Sequence, residues 1–183
     1  MLVSCTNLLL MLLDTCCTGV GRVRTIMPRN FFENHVKPNY EEWLADPLSE
    51  RHAKNAVSDA NIMAERVFHY WKDRDPTRVY SAKRPRPYRM ALVAEECDDF
   101  QLVWDVADGH KHVELDREPR QVTRMDQTGV GTLGYGEARY SEGVYGGAEQ
   151  LVVTRDDGTK RPLSAIMENV MAMWERILAE MSL

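Results

Sequence analysis

The sequence predicts a mainly α protein: an up-and-down bundle of three to four helices with a small β-hairpin inserted before the C-terminal helix. Apolar residues recur at helical spacing from Ala53 to Trp71, from Leu92 to Ala107 and from Leu163 to Met181. Between Glu114 and Gly147 that periodicity stops and seven glycines appear. Alternation around Leu151 and Val153 then precedes Asp156-Asp157-Gly158, a turn dipeptide with its flank that favours a hairpin.

Taken in order, Asn30 with Glu33 three residues later reads as a capped helix start. Pro38 interrupts that helix, and Asn39 with Glu42 offers a second start through Ala45. Asp46-Pro47 opens a long second helix, whose apolar positions fill an arc of roughly 160° and so face more than one neighbour. Glu65, His69 and Ile62 share its outer face, the exposed isoleucine hinting at a contact between copies. Residues 74–89 hold three prolines and six Lys or Arg against one acid, which reads as a linker. A third helix is expected from about Tyr88 to at least Ala107, the hairpin at about 133–161, and the last helix from Pro162. Residues 27–183 thus make one domain, within reach of a 183-residue chain.

A hydrophobic content of 44%, a charged content of 28% and a net charge of −5 describe an ordinary globular protein. The acidic balance disfavours global attraction to nucleic acid or to an anionic membrane. Leu8 to Leu13 is far shorter than the roughly 20 residues of a membrane span, and nothing basic precedes Arg22 as a secretory signal requires. Residues 1–26 therefore read as an extension before a true start at Met27, with a disordered tail and a targeting segment as alternatives. Three of the four cysteines lie there, leaving Cys97 alone in the body, as suits a reduced cytoplasm. No CxxC occurs, and no cofactor is expected.

Groups able to move protons or bind metal crowd only once, from Asp105 through Asp108, His110, Lys111 and His112. If the helix continues through Gly109, its phase puts Asp105, Asp108 and His112 on the opposite or flanking side. Asp108 and His112, four apart, form a chelating pair that needs a third ligand from elsewhere. Gly109 with the cations after it reads equally as a helix C-terminus. Glu96 falls inside the apolar arc of the third helix, where a carboxylate needs a cationic or hydrogen-bonding partner. His52, Arg89 and Lys111 are the donors considered, although Lys111 lies about 22 Å along the same helix. Lys83, Arg84, Arg86, Tyr88 and Arg89 combine base and aromatic in a way suited to phosphate contact and stacking. Gly129 to Gly136 lacks the spacing of a phosphate-binding loop.

A helical bundle with an Asp-rich helix ending in Lys111-His112 resembles a group of small bacterial proteins and, more loosely, the HEPN-type bundles. Arg29-Asn30-Phe31-Phe32-Glu33-Asn34-His35 matches the Arg, Asn and later His of the HEPN signature. That resemblance implies dimeric ribonuclease toxins or nucleotide-binding modules, with Arg29 and His35 as catalytic candidates beside Glu96, His110 and Lys111. The β insert, and the motif's place at the start of the first helix, favour a different expectation. It is a non-enzymatic binding or regulatory protein of the bacterial cytoplasm, acting on another copy of itself or another protein. The ribonuclease is the alternative.

Overall fold

A computed structural model describes residues 27–112, 115, 119–134, 136–137, 142 and 147–181. The extension expected over residues 1–26 lies outside them, as does part of the glycine-rich stretch. The described chain is mainly helical with a small three-stranded antiparallel sheet.

Helix α1 (Pro28–Phe31) runs through a π-turn (Phe32–Val36) into α2 (Lys37–Ala45) without a break. Pro38 lacks an N–H and crowds the preceding turn, and widening the helix just before it lets the chain continue. The capping box expected at Asn30 does not form: Pro28 opens the helix, and Asn39 instead donates to Asp59 at 2.6 Å. Helix α3 (Glu50–Trp71) starts at Ser49, whose hydroxyl accepts from the His52 amide. It is the central element, touching α1, α2, the later helices α4, α5 and α6, and the turn after it. Its wide apolar arc meets all of these, with Ala56, Val57, Ala60, Met63, Ala64 and Val67 fully buried. Ile62, expected on the outer face, is partly buried and packs against that core.

The expected linker is largely ordered. A 3-10 turn (Pro76–Val79) follows α3, and α4 (Pro85–Ala91) begins at a proline whose missing N–H a first turn does not need. The single third helix expected from Tyr88 to Ala107 is broken in two. A π-turn (Leu92–Glu96) ends with Cys97 in extended conformation, and α5 (Asp99–Gly109) starts afresh. This break resets the helical phase, so Glu96 does not face where the unbroken pattern puts it.

Strands β1 (Thr128–Gly131), β2 (Gln150–Thr154) and β3 (Lys160–Pro162) lie in that order. The expected hairpin is present as β2 and β3, with Val153 opposite Arg161 and Gly158 at φ +83 in the turn. A third strand from the glycine-rich stretch completes the insert: Thr128 pairs with Val153 and Val130 with Leu151. Helix α6 (Leu163–Glu180) closes the core, its Trp174 indole donating to the Ala60 carbonyl at 3.0 Å and meeting Phe100 edge-on.

Candidate functional site

Helix α5 connects the helical core to the sheet. Every residue from Asp99 to Ala107 is buried, polar ones included, because both helices and loops cover it. Asp105, expected on an outer or flanking side, is 0% exposed. Its carboxylate accepts from Gln101 Nε2, Arg120 Nη1 and the Gln121 amide, each at 2.7 Å, and from the Val122 amide at 3.3 Å. Burial pushes this carboxyl above its ordinary value, and those donors pull against the push. Arg120 also reaches Asp108 at 2.9 Å and lies over the Trp104 ring. At the other end of α5, Arg161 forms an ion pair with Asp99, which accepts from Asn169 at 2.7 Å, and a second with Glu142 at 3.0 Å. These two clusters clamp the loop after α5 and strand β3 onto the helix.

The clamps leave a cleft where the ends of α3, α5 and α6 meet the sheet. Its volume is about 430 Å³, and Ala53, Val106, Leu151 and Leu163 form an apolar floor. Glu50, Arg51, Lys54 and Asp126 stand around it, so its rim carries both signs of charge equally. His110, the residue after α5 ends, is the polar group on the wall. Its Nδ1 is buried and without a hydrogen-bond partner among the described residues. Burial, and then the nearby Lys54 ammonium, hold its pKa below the ordinary histidine value, so the ring is neutral at pH 7. The neutral ring carries one donor and one acceptor nitrogen, in an order set by the tautomer.

A second cleft, of about 300 Å³, opens at the far end of α6, bounded by the turn after α3, by α4 and by the last turn of α6. Glu96 lines it. The expected partner exists but is none of the three considered: Tyr80 donates to one carboxylate oxygen and Arg176 to the other. The donor came from α6, 80 residues on.

The remaining sequence candidates scatter. Arg29 donates to the Leu178 carbonyl at 3.1 Å and lies 4.0 Å from Glu33. His35 is exposed and stacks on Phe31. Lys111 and His112 are exposed beyond the end of α5, while Asp108 pairs with Arg120. Among the described residues, no three His, Cys, Asp or Glu gather in a way that could hold a metal ion. The basic segment divides: Lys83, Arg84 and Arg86 are exposed, but Tyr88 is 0% and Arg89 8% exposed. Tyr88 therefore shows no ring face for a base to stack on, and the largely buried Arg89 pairs with the exposed Glu65 at 3.3 Å. Sequence reasoning missed Tyr88, Arg120 and Arg161 as interior groups. Only their partners, far along the chain, reveal them. Comparison finds no family model, curated protein or solved structure that matches this chain.

Proposed function

We propose that this protein is a non-enzymatic binding or regulatory protein, and that its ligand occupies the cleft beside His110. The observation that carries the proposal is the combination of an apolar floor with one buried imidazole nitrogen that has no partner among the described residues. Ligand sites are typically apolar hollows with a few placed polar groups, and volumes of about 300–1,000 Å³ are usual. A ligand with an apolar body and a hydroxyl suits this one, because a hydroxyl bonds either tautomer of His110. The balanced rim selects for no net charge.

The surroundings of His110 support binding over catalysis. A histidine base is ordinarily oriented by a carboxylate on its other nitrogen. The two carboxylates that precede it on α5, Asp105 and Asp108, are both committed to Arg120. The proposal extends to a homo-oligomer of the bacterial cytoplasm. Leu44 at 50% exposure and Leu48 at 41% are apolar residues that such an interface would cover, a point that sedimentation can check.

Titration calorimetry with 1-octanol on the full chain and on His110→Phe tests the site. Saturable binding lost in the variant supports it. Incubation of labelled RNA with wild type and with His35→Ala tests the ribonuclease alternative. Cleavage that disappears with His35 would replace the binding proposal with that one.

A further inference from the structure

We propose that the cleft at the C-terminal end of α6 is a second binding site, for a small uncharged molecule carrying a hydrogen-bond acceptor on an apolar body. It stands about 21 Å from the His110 cleft, counting the 14 residues of α6 between Leu163 and Ile177 at 1.5 Å each. It rests on different residues and is independent of the first.

The decisive group is the Tyr88 hydroxyl. Tyr88 lines the cleft and is 0% exposed, yet its hydroxyl has no hydrogen-bond partner among the described residues. Buried hydroxyls are nearly always satisfied, so an unfilled one at the wall of a cavity points to a missing acceptor. The neighbouring polar groups do not supply it. Glu96 accepts from Tyr80 on one oxygen and from Arg176 on the other. The Tyr88 phenol remains a donor throughout the physiological range, because burial, then Tyr80 and Glu96, raise its pKa well above the ordinary value.

Shape and charge narrow the class of ligand. Leu92, Ile177 and Met181 form the apolar side, and the Tyr80 ring lies 6.2 Å from that of Tyr88. Arg78 lines the cleft with Glu96 and Glu180, and Arg176, from outside the lining, pairs with both carboxylates, so neither an acid nor an amine is favoured. Tyr80 is 42% exposed and holds φ +54, with Ser81 at φ +52 beside it. Two successive side-chain-bearing residues in the left-handed region are rare, and such strain gathers at ligand clamps. From this position Tyr80 lines the cleft and donates to Glu96. At about 300 Å³ the cleft is at the small end of ligand pockets, a size for a single ring with one carbonyl.

Benzamide is the probe, with benzoate and benzylammonium as its charged counterparts. Titration of the full chain, followed by calorimetry and by protein NMR shifts of Ile177 and Met181, should give saturable binding of benzamide with a dissociation constant on the order of 1 mM, as its few atoms allow. Tyr88→Phe keeps the ring, removes only the unsatisfied hydroxyl and should weaken binding at least fivefold with an unchanged or higher melting temperature. Ile177→Phe, which fills the cleft and leaves Tyr88 in place, should abolish it. Absence of saturable binding to wild type, unaltered affinity in either variant, or tighter binding of benzoate or benzylammonium would overturn the proposal.

Discussion

Replacing Arg120 with Met separates the buried ion pair from everything else that holds the chain after α5. The pair is nearly dry, with Arg120 at 5% and Asp105 at 0% side-chain exposure, and the two atoms are 2.7 Å apart. Removing one partner of such a pair typically costs about 3–5 kcal/mol, since the other charge stays buried. Asp105 retains Gln101 and two backbone amides among its four donors, which places the expected loss near the low end, about 3 kcal/mol. For a chain of this length that lowers the melting temperature by roughly 6–12 °C. The variant should also carry a pH signature. Without the guanidinium, the Asp105 carboxyl rises further above its unfolded value, so the folded state takes up the proton first. Its deficit against wild type therefore shrinks as pH falls from 7 toward 5. Asp105→Asn combined with Arg120→Met removes both charges, keeps an acceptor for the Gln101 or Gln121 donor and should recover part of the loss. Urea denaturation of both single variants and the double variant measures the coupling. Single losses below about 1 kcal/mol, or a double variant as unstable as the sum of the singles, would refute the reading of Asp105 and Arg120 as an interdependent buried pair.

Other expectations follow from the same contacts. Glu96→Gln keeps the acceptor for Tyr80 and faces an Arg176 that is 46% exposed, so it should lose less than about 1 kcal/mol in urea denaturation. Trp174→Phe gives up the hydrogen bond to Ala60 and leaves a void beside Phe100; chemical denaturation should show a loss of about 2–4 kcal/mol. His110 has a folded pKa below the unfolded value near 6.5, so the unfolded chain binds the proton first and stability is lost as pH falls below that value. In His110→Phe this slope should be absent from stability measured between pH 8 and pH 5.

The helices that were legible were those whose neighbours the periodicity already implies. The stripe from Ala53 to Val67 needed no partner to be named, because its width alone places helices on several sides. Glu96 was legible as a carboxylate in need of a donor, but its direction was not. The π-turn over Leu92–Glu96 and the extended Cys97 carry no glycine or proline to announce the break, so the phase was continued through it. Asp105 was misplaced for another reason. Helical phase describes burial against other helices, and Asp105 is covered by residues 120–122, which reach it through side-chain and amide bonds that no period records. Arg161 meets Asp99 across 62 residues, equally outside any local pattern. Tyr88 was hidden by its setting, since a tyrosine among prolines and arginines reads as surface, whereas the helix beginning at Pro85 turns its ring inward. His110 stood out as a titratable group near a helix end, and the structure adds the cleft beside it.

The role of that cleft is tested most directly by following the ring nitrogens of His110 in histidine-labelled protein during titration with 1-octanol. Binding beside the unfilled Nδ1 should move the His110 resonances along a saturating curve, leave exposed His35 and His112 unmoved, and disappear when the cleft is narrowed by Ala53→Leu. His110 resonances that stay fixed at every octanol concentration, or that shift together with those of His35 and His112, would contradict a ligand-binding role for this site.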